Sequence, residues 1–413
     1  MSLSRRVKNL QDVVDWRLCI GCGACAYAGS PGKIELVNLP TLGIQPRFQD
    51  PSYSGNECLS FCPGAGVSAP SCCGDSKTAA EEEFGPAIEI WVGYATDPET
   101  RFRASSGGIL TALALYCIER GGMESVLHTG KDEEQPWLNR TVQSRSRQQL
   151  LERAGSRYAP SSPCEGLALV ENSSAPCVFI GKPCDVAAVA ALRKTRPALD
   201  RNLGLVLTFF CAGTPSTQGT LDLATAPGSS GRMIDLRYRG DGWPGEFKAR
   251  WEGGSEKRFS YEQSWGSLTS YRPLRCNLCP DGLGQLADIS CGDAWDEYDP
   301  ERPSPGVSIV LVRTPRGQRI LRQAIEAGYL TLQPAGPERV LAAQKNLLSR
   351  RHELFGRLLA LRILGIPAPR YLGFSLFSGW MALPLGRKFK TVAGTLRRAL
   401  LRRWWTRTLA PSQ

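Results

Sequence analysis

Three cysteines at i, i+3 and i+6, in Cys19-Ile-Gly-Cys22-Gly-Ala-Cys25, leave the start of this chain few ways to fold. The glycines between them let the backbone wrap closely around a bound group. The first 85 residues are otherwise rich in Cys, Gly and Pro and poor in apolar periodicity. They are expected to fold around something other than an apolar core. A bacterial ferredoxin run would continue with C-x-x-x-C-P. Here AYAGSPGKIELV follows instead, and a Cys-Pro comes later, in Cys58-Leu-Ser-Phe-Cys62-Pro63. The simplest assignment is one [4Fe-4S] cluster on Cys19, Cys22, Cys25 and Cys62, with Cys58 as the spare or the substitute. A zinc knuckle is the rival, although zinc more often takes two separated C-x-x-C pairs or histidine. Cys72 and Cys73, in a Ser/Gly/Asp loop, stay unassigned.

Fifteen cysteines in 413 residues suit metal binding better than disulfides. The opening MSLSRRVKNLQDVVDW has no apolar core of an export signal, so a cytoplasmic location is expected, where thiols stay reduced. A second Cys-x-x-Cys, Cys276 and Cys279, lies in LRCNLCPDGLGQLADISCGDAW and makes half of a tetrahedral site. Two strand ends supply the other half. Cys177-Val-Phe-Ile-Gly-Lys182-Pro-Cys184-Asp185, and LGLVLTFF ending at Cys211, each read as a buried strand running into a Cys and a Gly/Pro turn. The strand–helix–strand order makes these strands parallel. Both cysteines then reach the carboxyl edge, where open α/β sheets place ligands. Cys184, Cys211, Cys276 and Cys279 are therefore expected to form a second four-thiolate set. The rival reading is that Cys184 and Cys211 are simply small buried residues.

Between these motifs the pattern alternates strand and helix. Strands are expected over 88–96, 123–129 and 306–313, helices over 145–154 and 318–327, and a β-hairpin over 234–259. Glu81 to Glu83 read as a solvated linker. Ser105-Ser106-Gly107-Gly108 precedes the helical ILTALALYCIERGG, with Ser105 or Ser106 as N-cap and free N–H groups that favour a phosphate. Only two histidines occur, too few for a His-centred proton relay, and His128 in SVLHTG reads as structural. No G-x-x-x-x-G-K-[ST] and no strand followed by G-x-G-x-x-G is found, which argues against ATP hydrolysis and a Rossmann-type nicotinamide site.

The net charge of +11 is concentrated at one end. From residue 371 onward there is no acidic residue and there are eight basic ones. The pattern from Arg339 is helical. The uncharged stretch 371–386, broken by Gly373, Gly379 and Pro384, falls short of the roughly 20 residues of a membrane span. With Trp380, Trp404 and Trp405 this end reads either as an amphipathic segment lying on the inner face of a membrane or as a basic helix that docks on its own protein or stays solvated. No nucleic-acid module is visible.

Taken in order, CIGCGAC, ASSGG before a helix, GKPCD, the strand ending FCAGTPS and RCNLCPDGLGQLADISCGD resemble the coenzyme F420 hydrogenase/dehydrogenase beta-subunit family, over about residues 19–313. The resemblance implies an α/β fold whose central mixed sheet forms a flavin domain over 86–335. A small Cys-rich, ferredoxin-like iron–sulfur segment over 1–85 precedes it, and a basic helical tail over 336–413 follows. It implies FAD and one or two [4Fe-4S] clusters. Ser105, Ser106, Gly107 and Gly108 would contact the flavin, Lys182 would face its ring or phosphates, and Asp293 would lie near the same pocket as a candidate proton donor. Cys184, Cys211, Cys276 and Cys279 would hold the cluster nearest FAD. Two departures stand out: the N-terminal segment is reduced, and Cys291 replaces an apolar residue, where it reads as packing. The implied activity is that of an oxidoreductase passing electrons between a one-electron carrier such as ferredoxin and a two-electron acceptor. The alternatives are a non-catalytic electron-transfer or accessory subunit, as in cell-surface polysaccharide biosynthesis, and a zinc-stabilised interaction protein.

Overall fold

The computed structural model describes residues 7–70, 78–225, 231–302 and 304–408; Cys72 and Cys73 lie outside them. Runs of Val, Ile and Leu bounded by Gly, Pro and Ser make eight strands of one sheet: β1 (Glu89–Ala95), β2 (Val126–Lys131), β3 (Asn139–Ser144), β4 (Cys177–Gly181), β5 (Leu203–Phe209), β6 (Ile289–Asp293), β7 (Ser308–Val312) and β8 (Leu330–Pro334). Their order across the sheet is β8-β1-β7-β6-β5-β4-β2-β3. β6, β5, β4 and β2 run parallel, and every other pairing is antiparallel. The expected parallel pairing of the two Cys-terminated strands is therefore present. Gly181 stands opposite Thr208 and Phe209 opposite Cys291, so β4, β5 and β6 end level on one edge.

Both faces are covered, which is why β7 is buried at every residue. On one face the helices Ile109–Glu119 and Pro315–Glu326 bring Leu113, Ile320 and Leu321 onto Val178, Leu205 and Val310. On the other, Val186, Val189 and Leu192 of the helix Pro183–Leu192 pack on Phe179 and Val206. Each such side chain contributes about 1.5–3 kcal/mol on burial. Cys291 is 4 % exposed within this core, as packing requires.

Three local expectations change. Residues 234–259 form three antiparallel strands, not two, because a second turn at Gly253–Gly254 adds Glu256–Ser260. The Glu81–Glu83 run is no linker: it lies in the helix Ala79–Phe84, with a Thr78/Glu81 capping box and a buried Phe84. The N-cap of Ile109–Glu119 is Gly108 at φ 80°, not a serine.

The two ends of the chain share one core. Leu10, Val13, Trp16 and Leu18 pack with Leu354, Leu361, Ile366, Ala399 and Trp404. Residues Arg370–Leu372 pair in parallel with Gly66–Ser68. Arg407 reaches Asp12 at 3.0 Å and Asp15 at 3.3 Å. The first segment thus has an apolar core after all, supplied largely by the far end of the chain. The basic tail docks on its own protein, and among the described residues no helix is long and apolar enough to cross a membrane.

Candidate functional site

The first cysteine set sits on a loop that leaves the helix Leu10–Asp15 and enters the short helix Ala24–Ala28. Gly21 (φ +68°) and Gly23 (φ +85°) turn it tightly; a Cβ on Gly23 would stand 2.8 Å from Glu165 N. The Gly21 N–H donates to Cys19 Sγ at 3.4 Å. Cys19, Cys22, Cys25 and Cys62 lie within electrostatic reach of one another. Cys58 is fully buried; a Cβ on Gly29 would stand 3.2 Å from its Sγ. Burial pushes the Cys62 thiol up to about 12 and Cys58 to about 11. Such thiols ionise only when a bound cation or cluster takes the charge. Cys164 was not singled out by any motif. It lies beside Cys22, which a hydrogen bond from the Cys164 thiol holds below its ordinary value.

The cysteines expected to make the second set lie at the carboxyl edge of the sheet. Cys184, just past β4, Cys211, just past β5, and Cys276 and Cys279 line a single cavity. Three separate stretches of chain meet there. The Thr214 N–H donates to Cys276 Sγ at 3.5 Å. Burial raises Cys211 to about 12 and Cys184 upward as well. Among the described residues, no three His, Cys, Asp or Glu side chains close up tightly enough to hold a single ion. The four thiols surround a cavity instead. The four thiols, with the Thr214 N–H on one of them, fit an iron–sulfur cluster, and Asp281, Arg275, Arg350 and Arg351 also line the cavity.

Two residues tie the sets together. Ile20, between Cys19 and Cys22, lines the cavity of the second set. Arg275, 1 % exposed, donates to Pro63 O at 2.8 Å and to Leu278 O at 3.3 Å, and its Nε has no partner among the described residues. Burial lowers its pKa, but Tyr371 and the Cys279, Cys184 and Cys276 sulfurs outweigh that and hold it up. Arg275 is thus a candidate site residue that motif reading missed, although it immediately precedes the Cys-x-x-Cys. Lys182 faces this side too. Its Nζ bonds Ser161 Oγ at 2.7 Å and Asp185 Oδ2 at 2.9 Å. Burial opposes its charge, and Asp185 and the Cys184 and Cys211 sulfurs outweigh the burial.

The remaining residues meet farther along the same edge. Ser106 Oγ donates to Val307 O at 3.1 Å, and Gly107 N–H donates to Ser308 Oγ at 2.9 Å, at the start of β7. Asp293, ending β6, accepts from Arg239 Nη2 at 2.7 Å and Nη1 at 3.1 Å, and from Trp243 Nε1 at 2.7 Å. Arg239 also donates to Ser105 O and lies over the Tyr261 and Trp295 rings. Ser105–Gly108 and Asp293 therefore belong to one constellation, joined by Arg239. No hydrogen bond among the described residues links Lys182 to it. Arg239 comes from RYRGDGWPGE, a turn-rich stretch that matches no motif.

Fold and site define a class: an α/β protein with two cysteine sets and an arginine-bridged loop along one sheet edge. Two family models match it, the coenzyme F420 hydrogenase/dehydrogenase beta subunit N-terminal model over residues 90–168 and the C-terminal model over 176–338. Together they span more than half of the chain, and it belongs to the coenzyme F420 hydrogenase/dehydrogenase beta-subunit family. A coenzyme F420 hydrogenase subunit beta of Methanococcus voltae is 26% identical over 282 residues, 67% of this chain and 95% of that protein. An F420-dependent formate dehydrogenase 1 subunit beta of Methanococcus maripaludis is 24% identical, over 60% of this chain and 62% of that one. A chain of the F420-reducing [NiFe] hydrogenase complex of Methanosarcina barkeri shares the fold, with a TM-score of 0.52 and 23% identity over 68% of this chain and 91% of that chain.

Proposed function

We propose that this chain is an iron–sulfur flavoprotein oxidoreductase that exchanges electrons between a one-electron carrier of ferredoxin type and a two-electron acceptor. The observation that carries the reading is the meeting of Cys184, Cys211, Cys276 and Cys279 around one cavity, beside a second thiol set. Membership of a family whose relatives are named as hydrogenase and formate dehydrogenase subunits supports it. Bound clusters supply one-electron steps, and FAD couples them to two-electron chemistry.

The chain's own residues have distinct tasks in this reading. Cys19, Cys22, Cys25 and Cys62 hold one cluster, with Cys58 behind them, and the second set holds another. Arg275 and Lys182 place positive charge beside the thiolates. Ser105–Gly108 would contact FAD at the start of the helix Ile109–Glu119, with the Gly107 N–H already held by Ser308 Oγ. Asp293, ion-paired to Arg239, fixes the flavin pocket, and its bonds make it a positioning residue first and a proton donor second.

Anaerobic purification tests this directly. The expected product is brown, with flavin absorbance and about eight irons per chain, and Cys276→Ala should lose about half of the iron. Iron without flavin would favour the accessory-subunit reading. A colourless protein containing zinc would overturn both.

A further inference from the structure

The helix Leu385–Leu401 is built inside out for a docked helix. Its inward face is small: Thr391, Thr395 and Ala399 are buried, one turn apart. They allow a close approach to the helix Leu354–Ile363, where a Cβ on Gly356 would stand 3.1 Å from Thr391 Cγ2. The large apolar side chains point elsewhere. Leu385, Phe389, Leu396 and Leu400 recur at i, i+4, i+11 and i+15, about a third of a turn from the buried face. Phe389 is 74 % exposed and Leu385 71 %. The neighbouring short helix Leu376–Met381 adds exposed Phe377 and Met381, and beyond the long helix Leu401 and Trp405 are exposed too.

Cations border this stripe. The exposed Lys390 and Arg397 follow one side of it, and the exposed Arg402 and Arg403 lie beyond its end. Lys388 lies toward the buried face, with its Nζ 5.9 Å from the Trp380 ring centre. None of the five forms an ion pair among the described residues. The stretch from 371 onward offers no acidic group to neutralise them. Protruding Leu385, Phe389 and Leu400, with half-buried Leu396 between them and exposed cations along one side, make the arrangement that seats a helix at a lipid–water boundary. An acidic protein partner would use the charges and leave Phe389 and Leu400 without a role. A second copy of this chain would bring its own cations against them.

We infer that the face of Leu385, Phe389 and Leu400 docks the folded chain on an anionic lipid bilayer, with the helix in the plane of the headgroups. This inference is independent of the redox reading, because the face needs neither cluster nor flavin. Docking on the protein and docking on the membrane are then no longer rivals, since they use different faces of one helix.

The test is sedimentation of the full chain with phosphatidylcholine vesicles, with and without phosphatidylserine. Binding is expected only with phosphatidylserine and is expected to fall at high salt. Phe389→Glu with Leu400→Glu should weaken it by about tenfold. Lys390→Glu with Arg397→Glu, both exposed, should do the same and covers the case in which the first pair disturbs the fold. Iron content and circular dichroism of the variants report on the rest of the molecule. Absence of binding to both vesicle types would overturn the inference. So would equal binding by the variants and the parent, or a parent dimer that Phe389→Glu turns into a monomer without any vesicle binding.

Discussion

Arg275 is a buried charge placed between the two cysteine sets. Its guanidinium bonds Pro63 O, next to Cys62, and Leu278 O, and it lies within electrostatic reach of the Cys279, Cys184 and Cys276 sulfurs. A positive charge there favours every added electron on either side. Arg275→Met keeps most of the volume and removes the charge. It should lower the midpoint potentials by on the order of 50–100 mV, read by redox titration followed by electron paramagnetic resonance, while Arg275→Lys should recover part of the shift. Potentials that do not move would mean the charge is compensated elsewhere. A second residue-scale expectation concerns His128, whose Nε2 meets Ser144 Oγ at 2.8 Å. Burial, reinforced by Arg153, lowers its pKa to about 4. The unfolded chain would bind a proton near pH 6.5 that the folded chain refuses until about pH 4. Stability is therefore full above pH 6.5 and falls as the pH drops through this window, by about 1 kcal/mol per unit. Urea unfolding at pH 7 and pH 5 should show that loss, and His128→Asn should reduce it.

At the scale of elements, the tail and the first segment should stand or fall together. Trp404 is 6 % exposed in their shared core. Trp404→Ala should cost about 3 kcal/mol, lower the melting temperature and expose the first 70 residues to limited proteolysis. Resistance of that segment in the variant would show that it holds its own fold. This partnership could not be read from the sequence, because contacts such as Arg407 with Asp12 leave no local pattern. The strands β4 and β5 were readable for the opposite reason: their apolar runs and turn residues are local, and the parallel rule fixed where Cys184 and Cys211 had to lie. Of the site, the cysteines were accessible through spacing. Arg239 and Arg275 were not, since a buried arginine is defined by what surrounds it.

At the scale of the whole molecule, one sheet edge is divided in two. The ends of β4 and β5 carry Cys184 and Cys211. Alongside them, the end of β6, the start of β7 and the loop between the helices Pro98–Arg103 and Ile109–Glu119 carry Asp293, Ser308 and Ser105–Gly108. Because β5 and β6 are neighbours, the two halves adjoin, yet their hydrogen-bonded constellations use different residues. Cofactor content should follow that division. Cys184→Ser should lose about half of the iron and keep the flavin, since Arg239, Asp293 and the serine loop are untouched. Arg239→Met should do the reverse: it strips Asp293 and Ser105 O of their shared donor and leaves all eight proposed ligands in place. Iron assay and flavin absorbance on the same two samples decide the matter. If either variant lost both cofactors together, the edge would be a single cooperative site and not two adjoining ones.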